Sequence, residues 1–200
     1  MSSQRLFEGL TFKVANAHEA DRAMTLRREL YLDEFGCDGL DERDATAHHL
    51  VALNTDQTVV AAMRIIDVAH RPFDLEDFVA LPALPEGRQP AEVGRFCMTK
   101  EYRRIKSSQL VHLGMCKLMF VFAERRGVTD LFTLGLLQLR NVYRLAFFTE
   151  LDIFCQHPIG DQHVQLMHLD IERVRATHAT SRHPVARLIF QSDVISIQPE

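Results

Sequence analysis

The chain has 200 residues, 46% hydrophobic and 25% charged, a balance that supports a full hydrophobic core in one domain and excludes wholesale disorder. Its net charge of -4 argues against generic nucleic-acid binding, and no apolar run approaches the length of a bilayer span. The charge is uneven: residues 1–100 carry 11 basic against 17 acidic groups, whereas residues 101–200 carry 12 against 10.

Along the chain, Leu10 to Ala15 alternates as a first strand, and His18 to Phe35 has helical spacing through Ala23, Leu26, Leu30 and Tyr31. Gly36 to Ala47 is acidic and glycine-containing, so it reads as a long loop. His49 to Leu53 and Val59 to Ile66 flank Asn54-Thr55-Asp56-Gln57, a hairpin pattern. The proline-rich stretch from Pro72 to Pro90 forms an ordered connection with one helical turn over Leu75 to Val79. Ala91 to Met98 then reads as a buried strand followed by a polar, basic turn.

Ser107 to Arg126 is the strongest helix pattern, with Ser107 or Ser108 to cap it and Gly127 to end it. Leu131 to Leu134 is a short strand, Leu137 to Phe148 a second helix, and Ile153 to Gln156 with Val164 to Ile171 a strand pair. Pro184 to Phe190 forms a short terminal helix. The mixture predicts one α+β domain over residues 1–200, arranged in three α/β/α layers around a single sheet. Cys37, Cys97, Cys116 and Cys155 lie far apart with no C-x-x-C pair, and the first residues show no signal-peptide core. Reduced thiols in a cytoplasmic protein are therefore expected.

The chemistry concentrates in Ala91-Glu92-Val93-Gly94-Arg95-Phe96-Cys97-Met98. Strand alternation places Glu92, Gly94, Phe96 and Met98 on one face and Val93, Arg95 and Cys97 on the other. A carboxylate and a guanidinium in an apolar strand are costly to bury unless paired. They are either a structural ion-pair set or a general base and an anion-orienting group beside a cleft. A second set lies upstream: Arg27 and Tyr31 in the first helix pattern, Asp41 and Asp44 in the acidic loop, and Arg64 in the second hairpin strand.

In this order and spacing, Arg27, Tyr31, Asp41, Asp44, Arg64, Glu92 and Arg95 resemble the L-R-x-x-V-F helix, D-x-x-D loop, hairpin arginine and E-x-S-R-F strand of two related families. These are the acyl-homoserine-lactone synthases and the N-acyl amino acid synthases, and the resemblance runs from about residue 20 to 150. Met98-Thr99-Lys100-Glu101-Tyr102-Arg103-Arg104 is similar to the V-x-P-x-x-R segment of the broader GNAT acyltransferases, and Asn141-Val142-Tyr143-Arg144 before Phe147-Phe148 to their Y-x-x-x-G-F element. The resemblance implies a GNAT-like fold with a central mixed, mostly antiparallel sheet, and transfer of a fatty-acyl group from a thioester to an amine.

In that scheme Glu92 is the base, Tyr143 returns a proton to the leaving thiol, and Arg95 completes the catalytic set. Arg27, Tyr31, Asp41, Asp44 and Arg64 order the loop over the site or grip the acceptor's carboxylate, while Phe96, Cys97 and Met98 hold the thioester. Arg103, Arg104, Lys106, Ser107 and Ser108 correspond to the phosphopantetheine-binding turn. Three departures refine the reading: glycines expected near Lys106 and Ser108 are absent, no tryptophan is present, and Gly94 stands where the lactone synthases have serine. The first favours an acyl carrier protein over CoA as donor, and the others favour an amino acid over S-adenosylmethionine as the small-molecule amine acceptor. The alternatives are a lactone synthase and a non-catalytic module that holds an acyl carrier or another ligand. His112 with Cys116, and His157, His163 and His168, show no tight metal-ligand spacing, so no metal or cofactor is expected beyond the acyl thioester itself.

Overall fold

The computed structural model describes residues 9–104, 108–157, 162–193 and 195–198. The first strand, β1 (Thr11–Val14), leads into α1 (Ala17–Phe35). Asn16 caps this helix: its side chain accepts the Glu19 amide at 2.9 Å while the Glu19 carboxylate accepts the Asn16 amide at 2.9 Å. Gly36 ends it in the left-handed region at φ 70°, where its amide reaches the Leu32 carbonyl. The acidic loop follows, with one 3-10 turn at Glu42–Ala45, and then the hairpin of β2 (His48–Leu53) and β3 (Val59–Asp67). The long connection carries 3-10 turns at Val68–His70 and Asp74–Asp77 before β4 (Pro90–Met98).

Helices α2 (Lys100–Arg104) and α3 (Ser108–Arg125) precede β5 (Asp130–Leu136), α4 (Arg140–Leu145) and the strand pair β6 (Thr149–His157) and β7 (Gln162–Asp170). Two helices, α5 (Ile171–His178) and α6 (Pro184–Phe190), follow. The strands form one sheet in the order β1-β2-β3-β4-β5-β7-β6. Among the described residues, the only parallel pair of neighbouring strands is β4 with β5.

Strand alternation divides the core between the two faces. Leu50 and Ala52 of β2 turn toward α3 and pack with Val111, Met115, Leu118, Met119 and Phe122. Val51 and Leu53 turn the other way and pack with Ala23 and Leu30 of α1. Helices α5 and α6 extend the α3 layer through Val174 and Ile189, giving the expected three layers. Gly114 of α3 sits against the buried ring of Phe12, where a Cβ would lie 2.1 Å from the ring edge. Gly114→Ala is therefore expected to destabilise the protein by about 1–3 kcal/mol through overpacking. An unchanged denaturant midpoint would show that the ring has room to move.

The first helix, the hairpin, β4, the α3 pattern and the last helix occur where the sequence places them. Four expectations are corrected. The basic turn after Met98 is a short helix, α2. The helix expected over 137–148 is a 3-10 turn plus the six residues of α4, because Phe147 adopts φ 67° and turns its ring onto Phe120 and Phe190. Helix α5, capped by the Asp170 carboxylate on the Arg173 amide, was not anticipated.

The fourth correction bears on the site. In β4, Gly94 faces Arg64 and Cys97 faces Ala62, so Arg95 and Phe96 together oppose Met63 in a bulge. The extra residue reverses the alternation beyond Gly94. Cys97, not Met98, shares the face of Glu92 and Gly94, and Met98 joins Val93 in the α3-side core.

Candidate active site

The site grows from this bulge. Arg95 holds φ 54°, a conformation that costs a side-chain-bearing residue about 1–2 kcal/mol. Two ion pairs hold it there: its Nη2 donates to Asp41 at 3.0 Å and to Asp74 at 2.6 Å. On its other edge, β4 pairs with β5 only through Pro90, Ala91 and Glu92. Beyond Glu92 the two strands part, and the bulged backbone of Gly94 to Met98 is left facing a wedge between them.

Glu92 stands at the apex of that wedge. Its side chain is buried and one carboxylate oxygen accepts the Leu75 amide at 3.3 Å. Burial raises its pKa to about 7, helped by the charge of Asp74 and opposed by Arg64 and the amides of Leu75 and Asp74. A carboxylate titrating near neutrality is suited to general-base work at ordinary pH. Gly94 leaves one side of it open, since a Cβ there would meet only a Glu92 oxygen, at 3.6 Å.

The other side of the wedge carries Tyr143 of α4, whose ring lies beside Gly135 at the end of β5. Burial pushes its phenol up to about 12, so the hydroxyl keeps its proton at neutral pH. Tyr31 approaches from α1 with its ring covered by Gly39, where a Cβ would fall 2.4 Å from the ring. Burial raises the Tyr31 phenol, opposed by the nearby charges of Arg95 and Arg27. Phe96 projects at the surface with its ring edge-on to His112 at 5.5 Å. Burial pushes the Cys97 thiol up to about 11, so the residue is an inert apolar filler and does not act as a nucleophile.

Behind the wedge, three arginines meet three aspartates. Arg27 pairs with Asp44, and Arg64 donates to Asp41 at 2.6 Å, Asp44 at 3.1 Å and Asp74 at 2.9 Å. Arg43 adds a two-pronged contact to Asp77 at 3.0 and 2.8 Å, tying the acidic loop to the turn that bears Asp74. Burial raises the Asp44 carboxyl, but Arg27, the Asp41 amide and Arg64 together hold it below its ordinary value. The ring of His49 is fixed by the Asp44 carbonyl at 3.1 Å.

Of the two expected roles, ordering the loop and gripping an acceptor carboxylate, the geometry of Arg64 fits the first. Arg64, at 1% exposure, is enclosed by aspartates and has no face left for substrate. Asp41 and Asp44 are spent on the same network. Among the described residues, Arg95 Nη1 and Arg27 Nε are buried donors of this cluster without a hydrogen-bond partner.

The basic turn is also partly committed. Arg103 donates to the Met98 carbonyl at 2.7 Å and to Glu34 at 2.5 Å, and Lys100 pairs with Asp33. The Arg104 side chain, Lys106 and Ser107 lie outside the described residues, and Ser108 is the first residue of α3. Sequence reading missed Asp74, the carboxylate shared by Arg64 and Arg95, because it sits in an irregular proline-rich connection with no pattern of its own. The acidity of Asp74-Leu75-Glu76-Asp77 was the available signal.

Residues 22–112 match the family model described as an acetyltransferase (GNAT) domain. Among solved structures, FeeM, an N-acyl amino acid synthase from uncultured soil microbes, superposes with a TM-score of 0.66 at 18% identity, covering 84% of this chain and 93% of that one. BjaI, a CoA-dependent acyl-homoserine lactone synthase, gives 0.65 at 14% identity, covering 92% of each chain. The AHL synthase LasI gives 0.63 at 12% identity, covering 96% of this chain and 98% of that one. At these identities the likeness establishes a shared fold. A search of curated proteins by sequence returns no match. Among the described residues, no helix is long and apolar enough to cross a membrane.

Proposed function

We propose, from the match of residues 22–112 to a GNAT acetyltransferase domain and from the fold shared with FeeM, that this chain moves a fatty-acyl group from an acyl carrier protein thioester to the amine of an amino acid. The observation that carries the reading is Glu92: a buried carboxylate with a pKa of about 7 at the point where β4 and β5 part.

The amine nitrogen attacks the thioester carbonyl and Glu92 takes its proton, directly or through a water molecule. Backbone amides of the β4 bulge stabilise the oxyanion that forms. The C–S bond then breaks, Tyr143 gives its proton to the departing thiolate, and an amide remains. The unpartnered Arg95 Nη1 offers a hydrogen bond to the acceptor's carboxylate. The FeeM likeness supports the amino acid as acceptor. Release of thiol from an acyl-carrier thioester, dependent on an added amino acid, tests the proposal. Release that is independent of any amine would contradict it.

The donor reading rests on the segment before α3. Its sequence lacks the glycines that admit a CoA pyrophosphate, and Lys100 and Arg103, exposed in α2 and paired with Asp33 and Glu34, can trade those partners for an acidic carrier protein. The KM for the carrier thioester is expected to rise with salt while kcat holds. Lys100→Glu should raise that KM by about fivefold, the scale of one exposed charge contact. Equal use of CoA and carrier thioesters, insensitive to salt, would contradict the carrier assignment.

A further inference from the structure

We propose that His48, Asp67 and His70 form a binding site for a zinc-class divalent transition metal, separate from the acyl-transfer site. His48 opens β2, Asp67 closes β3, and His70 lies in the following 3-10 turn. His48 Nε2 is 3.0 Å from one Asp67 oxygen and His70 Nδ1 is 2.9 Å from the other. The ligand atoms of the three residues all lie within 4.8 Å of one another. Tetrahedral zinc, with bonds of roughly 2.0–2.2 Å, holds its ligand atoms about 3.3 Å apart, so only small side-chain movements are needed to close around an ion.

The donor set selects the metal. Two imidazoles and one carboxylate suit zinc or cobalt, whereas calcium and magnesium prefer oxygen ligands alone. The orientation is supported from outside: the Ala69 amide donates to Asp67 at 3.1 Å, and the His48 ring packs on Phe122 with centroids 5.0 Å apart. His70, 37% exposed on its side chain, gives the ion a route in, and three protein ligands leave a coordination position for water. The site lies at the start of the segment Arg71-Pro72-Phe73-Asp74. A bound ion would join β2, β3 and the lead-in to Asp74, giving it a structural role.

The test uses the full chain stripped of metal, titrated with cobalt(II) and followed by visible absorption, with zinc as competitor. One ion per chain is expected to bind, and zinc should raise the melting temperature. His70→Ala, at an exposed position, should leave the metal-free melting temperature unchanged and weaken binding by at least about tenfold, since even an outer-shell partner is worth that much. Asp67→Asn should weaken binding similarly. Absence of cobalt absorption in the wild type would show the cluster to be only a hydrogen-bonded clip. Equal affinity in the wild type and both variants would place the ion elsewhere, and either result overturns the proposal.

Discussion

Glu92→Gln is expected to keep the fold and slow acyl transfer by about ten- to ten-thousand-fold, the span associated with a positioned general base. Its second effect runs the opposite way. The carboxyl titrates at about 7 in the folded protein against an ordinary value of 4.5, so the folded state binds the proton more tightly. The stability that this group contributes is therefore complete below about pH 4.5 and is lost as pH rises through about 7. Above that point the buried anion costs the wild type up to about 3 kcal/mol that glutamine does not incur. The variant should thus be more stable than the wild type at pH 8 and little different at pH 4. Wild-type kcat/KM should climb through pH 7, and that limb should vanish in the variant. Denaturant melts at the two pH values and a pH–rate profile check both halves. Undiminished turnover in folded Glu92→Gln would remove the residue from the mechanism.

Arg64→Ala should be among the most damaging substitutions in the chain. Arg64 is bonded to Asp41, Asp44 and Asp74, and removing it leaves buried carboxylates facing one another with too few cations. Breaking a buried ion-pair set in this way costs about 3–5 kcal/mol, a large share of the roughly 5–15 kcal/mol that holds a domain folded. Asp44 shows the pH dependence. Its carboxyl is held below the ordinary value, so its stabilising effect is present above that value and lost as pH falls through its folded pKa. The deficit of Arg64→Ala should accordingly shrink in acid, where its abandoned aspartates take up protons. Combining Arg64→Ala with Asp44→Asn should recover part of the loss at neutral pH. A wild-type denaturant midpoint for Arg64→Ala would show that the network does not hold the acidic loop in place.

The contrast between these two residues shows what the sequence reveals and what it withholds. Glu92 stands out in an apolar strand because an unpaired buried carboxylate is expensive, and its burial and raised pKa follow from that expense. The hairpin and α1 are likewise legible, through alternation in His49 to Leu53 and helical spacing from Ala23 to Tyr31. What remained hidden depends on pairing across long separations. That Arg64 serves the aspartates and not a substrate is decided by Asp74, ten residues away in an irregular turn. The β4 bulge left no trace in the pattern, because Arg95 and Phe96 read as ordinary alternating positions. Only the pairing of Ala62 with Cys97 and Arg64 with Gly94 exposes the extra residue. The acidic loop was recognised as a loop from its glycines and charge, but the packing of Gly39 on Tyr31 is a tertiary contact that no local spacing encodes.

In the proposed reaction the Glu92 wedge joins an acyl group to an amino acid nitrogen. The most direct test is the mass of the product formed from an acyl-carrier thioester supplied with an amino acid mixture and S-adenosylmethionine together. An N-acyl amino acid, formed by the wild type and sharply reduced in Glu92→Gln, is the predicted result. Consumption of S-adenosylmethionine alone, with release of methylthioadenosine and an acylated lactone, would contradict it.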